Sequence, residues 1–188
     1  MTPVPTIKLV IADVDGTLLT HDKVLTERAV RAVRALRGTG VRFALTSGRP
    51  PRGLSMLVEP LDIDTPIAAF NGGMYVRPDL SPIETLVLAP TVVASIARSM
   101  QHHGLDVWLY RGIDWFVRRY DAPHVAREER TVRFPPTVVP AFDELFDQVV
   151  KVVGVSDNPD ALSRGLADIH EQFPGEVSAA RSQPYYLD

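Results

Sequence analysis

At 188 residues with 45% hydrophobic content, the chain is long enough for one large domain or two small ones around a buried core. A net charge of -3 argues against a protein whose main task is to neutralise nucleic-acid phosphates or an anionic membrane, so any anion must be bound locally. The lack of cysteine excludes disulfides, thiolate catalysis and cysteine-ligated metal sites.

In chain order, residues 7–12, IKLVIA, form a continuous apolar run ending at turn signals. That pattern predicts a strand buried on both faces, as in a parallel sheet. Thr26 is the expected N-cap of TERAVRAVRALRGTG, a helix whose apolar face is Ala29, Val30, Val33 and Leu36 and whose stop is Gly38 or Gly40. Residues 41–46, VRFALT, give a second strand ending at SGRPP, residues 51–59 a short helix entered through proline, and residues 66–70, PIAAF, a third strand. This alternation implies right-handed crossovers and a doubly wound α/β sheet. Ligands of such sheets bind at the carboxyl ends of the strands, where Asp13, Asp15, Ser47 and Asn71 should gather.

From 71 to 88 the pattern changes to NGG, MYVR, PDLSP and IETLVL, an antiparallel hairpin on the sheet edge. Residues 91–103 are expected to form an amphipathic helix capped by Thr91, and DVWLYRGIDWFVRR a hairpin turning near Arg111 and Gly112. A helix over 121–130, a proline-rich link at 135–140, a short helix near 141–147 and the strand QVVKVVGVS follow. The helix NPDALSRGLADIHEQF and a final strand in VSAARSQPYYLD complete the chain. The mixture predicts a separate α+β domain over 89–188, after a partial doubly wound parallel sheet over 1–88.

The chemistry concentrates in Asp13-Val14-Asp15-Gly16-Thr17-Leu18. Two acids two positions apart repel unless a cation lies between them, and Mg²⁺ prefers hard oxygen ligands while keeping several waters. With the phosphate's charge screened, one carboxylate can attack phosphorus and the second can protonate the leaving alkoxide, then activate water. Gly16 lets the chain turn so that main-chain amides face a phosphate, and Thr17 adds a hydroxyl. A DG turn with a solvated acid is the plainer explanation, but the strand upstream and helix downstream favour a phosphate site. Ser47 and the amide of Gly48 could bind phosphoryl oxygens beside it, and Arg49 could orient the loop or substrate, although a surface arginine is nearly as common.

DVDGTL, LTSGRP and FNGG, in this order and spacing, resemble the haloacid dehalogenase (HAD) superfamily, specifically its Cof-type phosphatases of cap class IIB. The resemblance implies a Rossmann-like core, a large cap inserted after the third strand that closes over the active site and selects substrate, and a Mg²⁺ cofactor. It implies Asp13 as nucleophile and side-chain metal ligand, and Asp15 as general acid/base meeting the metal through its backbone carbonyl. Ser47 matches the family's hydroxyl-bearing second motif and Asn71 the asparagine before the cap; residues 89–188 would be the cap.

Members of this family also use a third-motif lysine and a fourth-motif acidic pair, usually in a GDxxND sequence, and neither motif is present in this sequence. The chain is therefore expected to be an amino-terminal fragment carrying half of a core sheet and a complete cap, with little or no activity by itself. Of its three lysines as substitutes for the third-motif residue, Lys8 lies early in the first strand, at the wrong end, and Lys151 in a cap strand; Lys23, in the loop after the acids, is the only one conceivably near, although exposed loop lysines are usually just solvated. Arg28, Arg31, Arg34 and Arg37 repeat along the first helix as a solvated face, and the five histidines lack metal-ligand spacing. Trp108, Tyr110, Trp115 and Phe116 alternate as core residues do.

The expected function is a Mg²⁺-dependent phosphohydrolase acting on a small phosphorylated metabolite such as a sugar phosphate, through an aspartyl phosphate. The alternative is a non-catalytic phosphometabolite-binding or interaction protein. A phosphotransferase or mutase is less favoured because such enzymes usually carry other caps. No nucleic-acid or membrane partner is expected: no run approaches the ~20 apolar residues of a span, no signal segment opens the chain, and the protein reads as cytoplasmic. An unpaired sheet edge predicts self-association.

Overall fold

A computed structural model describes residues 6–188; residues 1–5, on which the reading of the amino terminus partly rests, lie outside the described residues. Contacts divide the chain into Met1–Thr85 and Leu86–Asp188, against a boundary expected between 88 and 89. The fold is α/β, with a parallel-strand sheet in the first unit. Among the described residues no helix is long and apolar enough to cross a membrane.

In the first unit, β1 (Leu9–Asp13), β2 (Arg42–Thr46) and β3 (Ile67–Ala69) run parallel, and β4 (Met74–Val76) and β5 (Pro82–Thr85) add the antiparallel hairpin. Strand order is β1-β2-β3-β4-β5. Helix α1 (Glu27–Gly38) begins where the Thr26 hydroxyl accepts a hydrogen bond from the Ala29 N–H, satisfying one of the first-turn donors. The Pro51–Leu54 stretch is a 3₁₀ turn that leads into α2 (Ser55–Leu61), and the left-handed Asp62 ends that helix. Leu45, Leu54, Leu57, Leu61 and Ile67 form the fully buried centre.

One expectation fails here. The first strand is not buried on both faces: it is a sheet edge, and Ile7, Leu9 and Ile11 are 67%, 46% and 61% exposed. An unbroken apolar run shows that a strand can be covered on both sides, not that it is.

The second unit wraps α3 (Pro90–His102), α4 (Val125–Val132) and α5 (Pro159–Gln172) around a six-stranded sheet. Its strands are β6 (Asp106–Arg111), β7 (Asp114–Val117), β8 (Thr137–Val138), β9 (Val149–Val155), β10 (Arg181–Gln183) and β11 (Tyr186–Leu187), in the order β10-β11-β9-β6-β7-β8. Val93, Ile96 and Met100 of α3 and Leu162 and Ile169 of α5 pack on Val107, Leu109, Val149 and Val152 of the sheet. Trp108 and Trp115 are buried, with ring centroids 5.4 Å apart at an edge-to-face angle.

Four local expectations need correction in this unit. Thr91 does not cap α3, because Pro90, pre-set in φ, takes the first helical position after Ala89. The helix expected over 121–130 starts only at Val125, after a left-handed His124. Residues 141–147 form turns rather than a helix, with Phe142 drawn into the core. The final strand is two short strands, β10 and β11, folded back at Pro184 and Tyr185, since proline cannot donate to a continuing ladder.

Gly154 on β9 is needed by its neighbours: a Cβ there would meet Leu105 Cδ2 at 2.5 Å and Met100 Sδ at 3.0 Å. Gly154→Ala is expected to destabilise the protein by about 1–3 kcal/mol in urea unfolding. Helices α3 and α5 are joined by the Ser99 hydroxyl donating to Asp168, which also meets Gln172 Nε2 at 2.9 Å and His103 Nε2 at 3.3 Å. The Ser99 and Gln172 hydrogen bonds, against a small opposing effect of burial and with help from His103, hold the Asp168 carboxyl below its usual range. A depressed carboxyl stabilises the fold above its unfolded pKa, near 4, and that contribution is lost as pH falls through the lower folded value. Ser99→Ala should therefore cost about 1 kcal/mol at neutral pH, and the difference from wild type should shrink below about pH 4.

Candidate active site

The site follows from strand register. Asp13 at the end of β1 lies across from Thr46 at the end of β2, and Thr46 lies across from Ala68 of β3. The residues immediately after these three are therefore delivered to one end of the sheet: Asp15 and Gly16, Ser47 to Arg49, and Phe70 to Gly72. Backbone bonds knit the loops together, from the Ser47 N–H to Ala68 O (2.9 Å), Asn71 N–H to Ser47 O (2.8 Å) and Phe70 N–H to Arg49 O (3.1 Å).

Val14, fully buried, separates the two acids. Its carbonyl accepts from the N–H groups of Leu18 and Leu19 at 3.1 and 2.9 Å, so the DGTL segment curls into a single tight turn. Gly16 occupies a left-handed φ of 81°, a conformation that costs a side-chain-bearing residue energy. Asp13, Gly16 and Thr17 are exposed, and Asp13 shares the outward row of β1.

The Asp15 carboxylate is gripped by two cations. Arg49 donates from Nε to Oδ2 and from Nη2 to Oδ1, both at 2.8 Å, and Lys23 Nζ donates to Oδ1 at 2.7 Å. Arg49, 5% exposed, also donates from Nη1 to the Gly53 carbonyl at 3.2 Å. Half-burial pushes the Asp15 carboxyl up, but the hydrogen bonds and charges of Arg49 and Lys23 outweigh it and hold the group below the usual carboxylate range.

Ser47 is almost wholly buried, and its hydroxyl accepts from the Arg49 N–H at 3.2 Å, which braces the SGR turn. Gly48 passes close to the Asn71 amide, whose Nδ2 lies 3.4 Å from where a Cβ would stand. Phe70 and Asn71 are both left-handed, at φ 50° and 54°, ahead of Gly72 at 97°. Consecutive non-glycine residues in this region store strain, and such strain gathers at functional sites.

The geometry thus brings Asp13, Asp15, Ser47, Gly48, Arg49 and Asn71 to neighbouring loops, while Thr17 makes no side-chain hydrogen bond among the described residues. Sequence reasoning did not find that Arg49 is a buried clamp or that Lys23 reaches Asp15. The proline after Arg49 and the glycine at 53 that supplies its carbonyl were the only local signals, and neither identifies an ion pair across 34 residues.

The residues present fit a hard cation in part. Asp13 offers an exposed carboxylate, while the carboxylate of Asp15 is taken by its two cations, which leaves its main-chain carbonyl as the oxygen to offer. Among the described residues no three His, Cys, Asp or Glu side chains converge as a metal cluster. Mg²⁺, which binds through one or two carboxylates plus waters and substrate phosphate, is suited to such a sparse set.

Residues 10–188 match the family model of the haloacid dehalogenase-like hydrolases. A Streptococcus pyogenes protein with a provisional phosphatase name is 25% identical over 189 residues, covering 97% of this chain and 69% of the relative. The pyridoxal phosphate phosphatase of Escherichia coli is 24% identical over 170 residues, 90% of this chain and 61% of its own length. In three dimensions, a haloacid dehalogenase-like hydrolase from Bacteroides thetaiotaomicron superposes with a TM-score of 0.85 at 24% identity, over 97% of this chain and 70% of the other. A family match running from the first strand to the end of the second unit, joined to aspartates placed at the strand tip, settles the assignment: the chain belongs to the haloacid dehalogenase-like hydrolase family.

Proposed function

We propose that the protein is a Mg²⁺-dependent phosphohydrolase acting on a small phosphorylated metabolite, with Asp13 as nucleophile and Asp15 as general acid/base. The observation that carries this reading is the pair of acids at the tip of β1, one exposed and the other immobilised by the Arg49 fork. Relatives named as phosphatases of small phosphorylated metabolites, pyridoxal phosphate among them, support the substrate class.

In the first step an Asp13 oxygen attacks phosphorus, forming an acyl phosphate as the bond to the leaving oxygen breaks. In this reading the departing alkoxide takes its proton from Asp15, a step that requires the carboxyl to be protonated against the ionised form its bonds to Arg49 and Lys23 favour. In the second step Asp15 takes a proton from water, which attacks the phosphoryl group, and Asp13 leaves with inorganic phosphate released. Bound Mg²⁺, held by the Asp13 carboxylate and the Asp15 carbonyl, would supply the positive charge that lets carboxylates approach a phosphate dianion. The bonds from Arg49 and Lys23 favour the ionised form of Asp15, the form that activates water in the second step. Gly16, Thr17, Ser47, Gly48 and Asn71 surround the phosphoryl position in this reading, the Gly16 turn and the Gly48 amide offering N–H donors. The second unit is assigned the choice of substrate.

A panel of small phosphate esters assayed with Mg²⁺ tests the reading. Any turnover is expected to need Mg²⁺ and to fall by about 10³-fold or more in Asp13→Asn, because that substitution removes the attacking oxyanion and not merely a stabilising contact. Turnover that survives Asp13→Asn overturns the nucleophile assignment. Phosphate-ester binding without any turnover favours the non-catalytic alternative.

The exposed apolar row of β1 makes the edge of the first sheet a template for another strand. Self-association is expected, rising with concentration in analytical ultracentrifugation and weakened in Ile11→Lys. A monodisperse monomer at all concentrations would count against it.

A further inference from the structure

We propose that the second unit carries an anion site of its own, in which Arg118 and Arg119 hold the phosphate or carboxylate group of a small metabolite. The proposal does not depend on the phosphohydrolase reading. Antiparallel pairing sets Trp108 of β6 opposite Val117, the last residue of β7. The chain leaves the ladder there, and its next two residues, Arg118 and Arg119, come to lie beside the start of β6 at Asp106. With Asp106 and with Gln101 of α3 they line an open cavity of about 550 Å³. That volume lies within the range of small-molecule sites. The apolar part of its wall is held by the fold, since Trp108, Val117 and Ala122 are all buried.

The charge in this cavity is uncompensated. Both arginines are exposed, and among the described residues neither forms an ion pair. By contrast, Arg111 in the same unit grips Asp147 at 2.8 Å, and Arg127 lies over the Tyr185 ring, 4.6 Å from its centre. Two guanidiniums against the single carboxylate of Asp106 leave a net positive charge, and each fork matches the paired oxygens of a carboxylate or phosphate. Carbonyls at the end of α3 would repel an anion, but they are engaged. The N–H groups of His103, Gly104 and Leu105 donate to Ser99 O, Gln101 O and Met100 O at 3.1, 3.0 and 3.0 Å. The indole N–H of Trp108 is buried without a partner among the described residues, a condition that calls for an acceptor from outside the chain. Asp106 opposes a bare anion and favours a ligand that carries a hydrogen-bond donor, such as a hydroxyl, beside its acid group.

The cavity is distinct from the loops around Asp13. Every residue that lines it belongs to the second unit. The segment that enters this unit does so at the other end of the sheet: the Leu88 N–H donates to Val149 O at 2.9 Å, and Val149 pairs with Arg111, five residues along β6 from Asp106.

The chain's two tryptophans, Trp108 and Trp115, both lie in the second unit, and Trp108 lines this cavity, so intrinsic fluorescence reports on this site. The test titrates the full chain, in buffer without Mg²⁺, with inorganic phosphate and separately with malonate, against sodium chloride at equal ionic strength. Thermal melts are run at each concentration. A saturable fluorescence change and a rise in melting temperature are expected with at least one of the two anions, and the tighter binder names the acid group. Arg118→Gln/Arg119→Gln should weaken that affinity about 10- to 100-fold, while its melting temperature without the anion stays at the wild-type value because both side chains are exposed. Asp106→Asn, which removes the opposing charge, should tighten binding about 2- to 5-fold. No response to either anion beyond the chloride blank overturns the proposal, and so does wild-type affinity in the double variant. Either result leaves the assignment of Asp13 and Asp15 untouched.

Discussion

A half-buried carboxylate survives in a folded protein only where positive charge and hydrogen bonds repay its lost hydration, and at this sheet edge that repayment comes from the Arg49 fork. The consequences run outward from this pair. Because both oxygens of Asp15 are engaged, its orientation is fixed to the second strand's loop rather than left to rotamer chance. Because Arg49 is tied in turn to the Gly53 carbonyl and its N–H to the Ser47 hydroxyl, the SGR turn and the following 3₁₀ turn are held by the same bonds. The clamp converts two separately folded loops into one surface on which an acid keeps its place.

Register does the rest. Parallel pairing of Asp13 with Thr46 and of Thr46 with Ala68 means that the three loops start level with one another. The strained FNG segment extends this: left-handed turns at Phe70 and Asn71 send the chain back beneath Ser47, where the Asn71 N–H meets the Ser47 carbonyl. Gly48 must be small there, because the Asn71 amide stands against the position of a Cβ, and this close approach gives the glycine in SGR a structural reason independent of any ligand.

Much of this was legible in the sequence, and the parts that were not share a cause. The three parallel strands, α1 with its Thr26 cap and the helix α5 came from local periodicity and local hydrogen bonding, which short windows contain. Residues 141–147 misled because DELF carries helical spacing while Phe142 is drawn into the core of the second unit, a tertiary effect. The burial of β1 was misjudged because covering a strand depends on what lies beside it, and no property of IKLVIA reports that. Within the site, acids next to glycine were conspicuous. The cations that hold Asp15 come from 8 and 34 residues away, and an isolated lysine in HDKV looks the same whether it is solvated or paired.

The exposed apolar row of β1 and the exposed Asp13 are two results of one geometric rule. Side chains alternate along a strand, so Ile7, Leu9, Ile11 and Asp13 form a single row, and Val14 begins the inward turn. If Asp13 is to be reached by a substrate its row must open to solvent at the tip, and with the strand at a sheet edge the same opening runs back over Ile11 and Leu9. Burying that apolar row would stabilise the fold by about 1.5–3 kcal/mol per fully covered side chain, while burying Asp13 with it would remove the site. A surface that covers this row and leaves the proposed nucleophile open to substrate ends before Asp13.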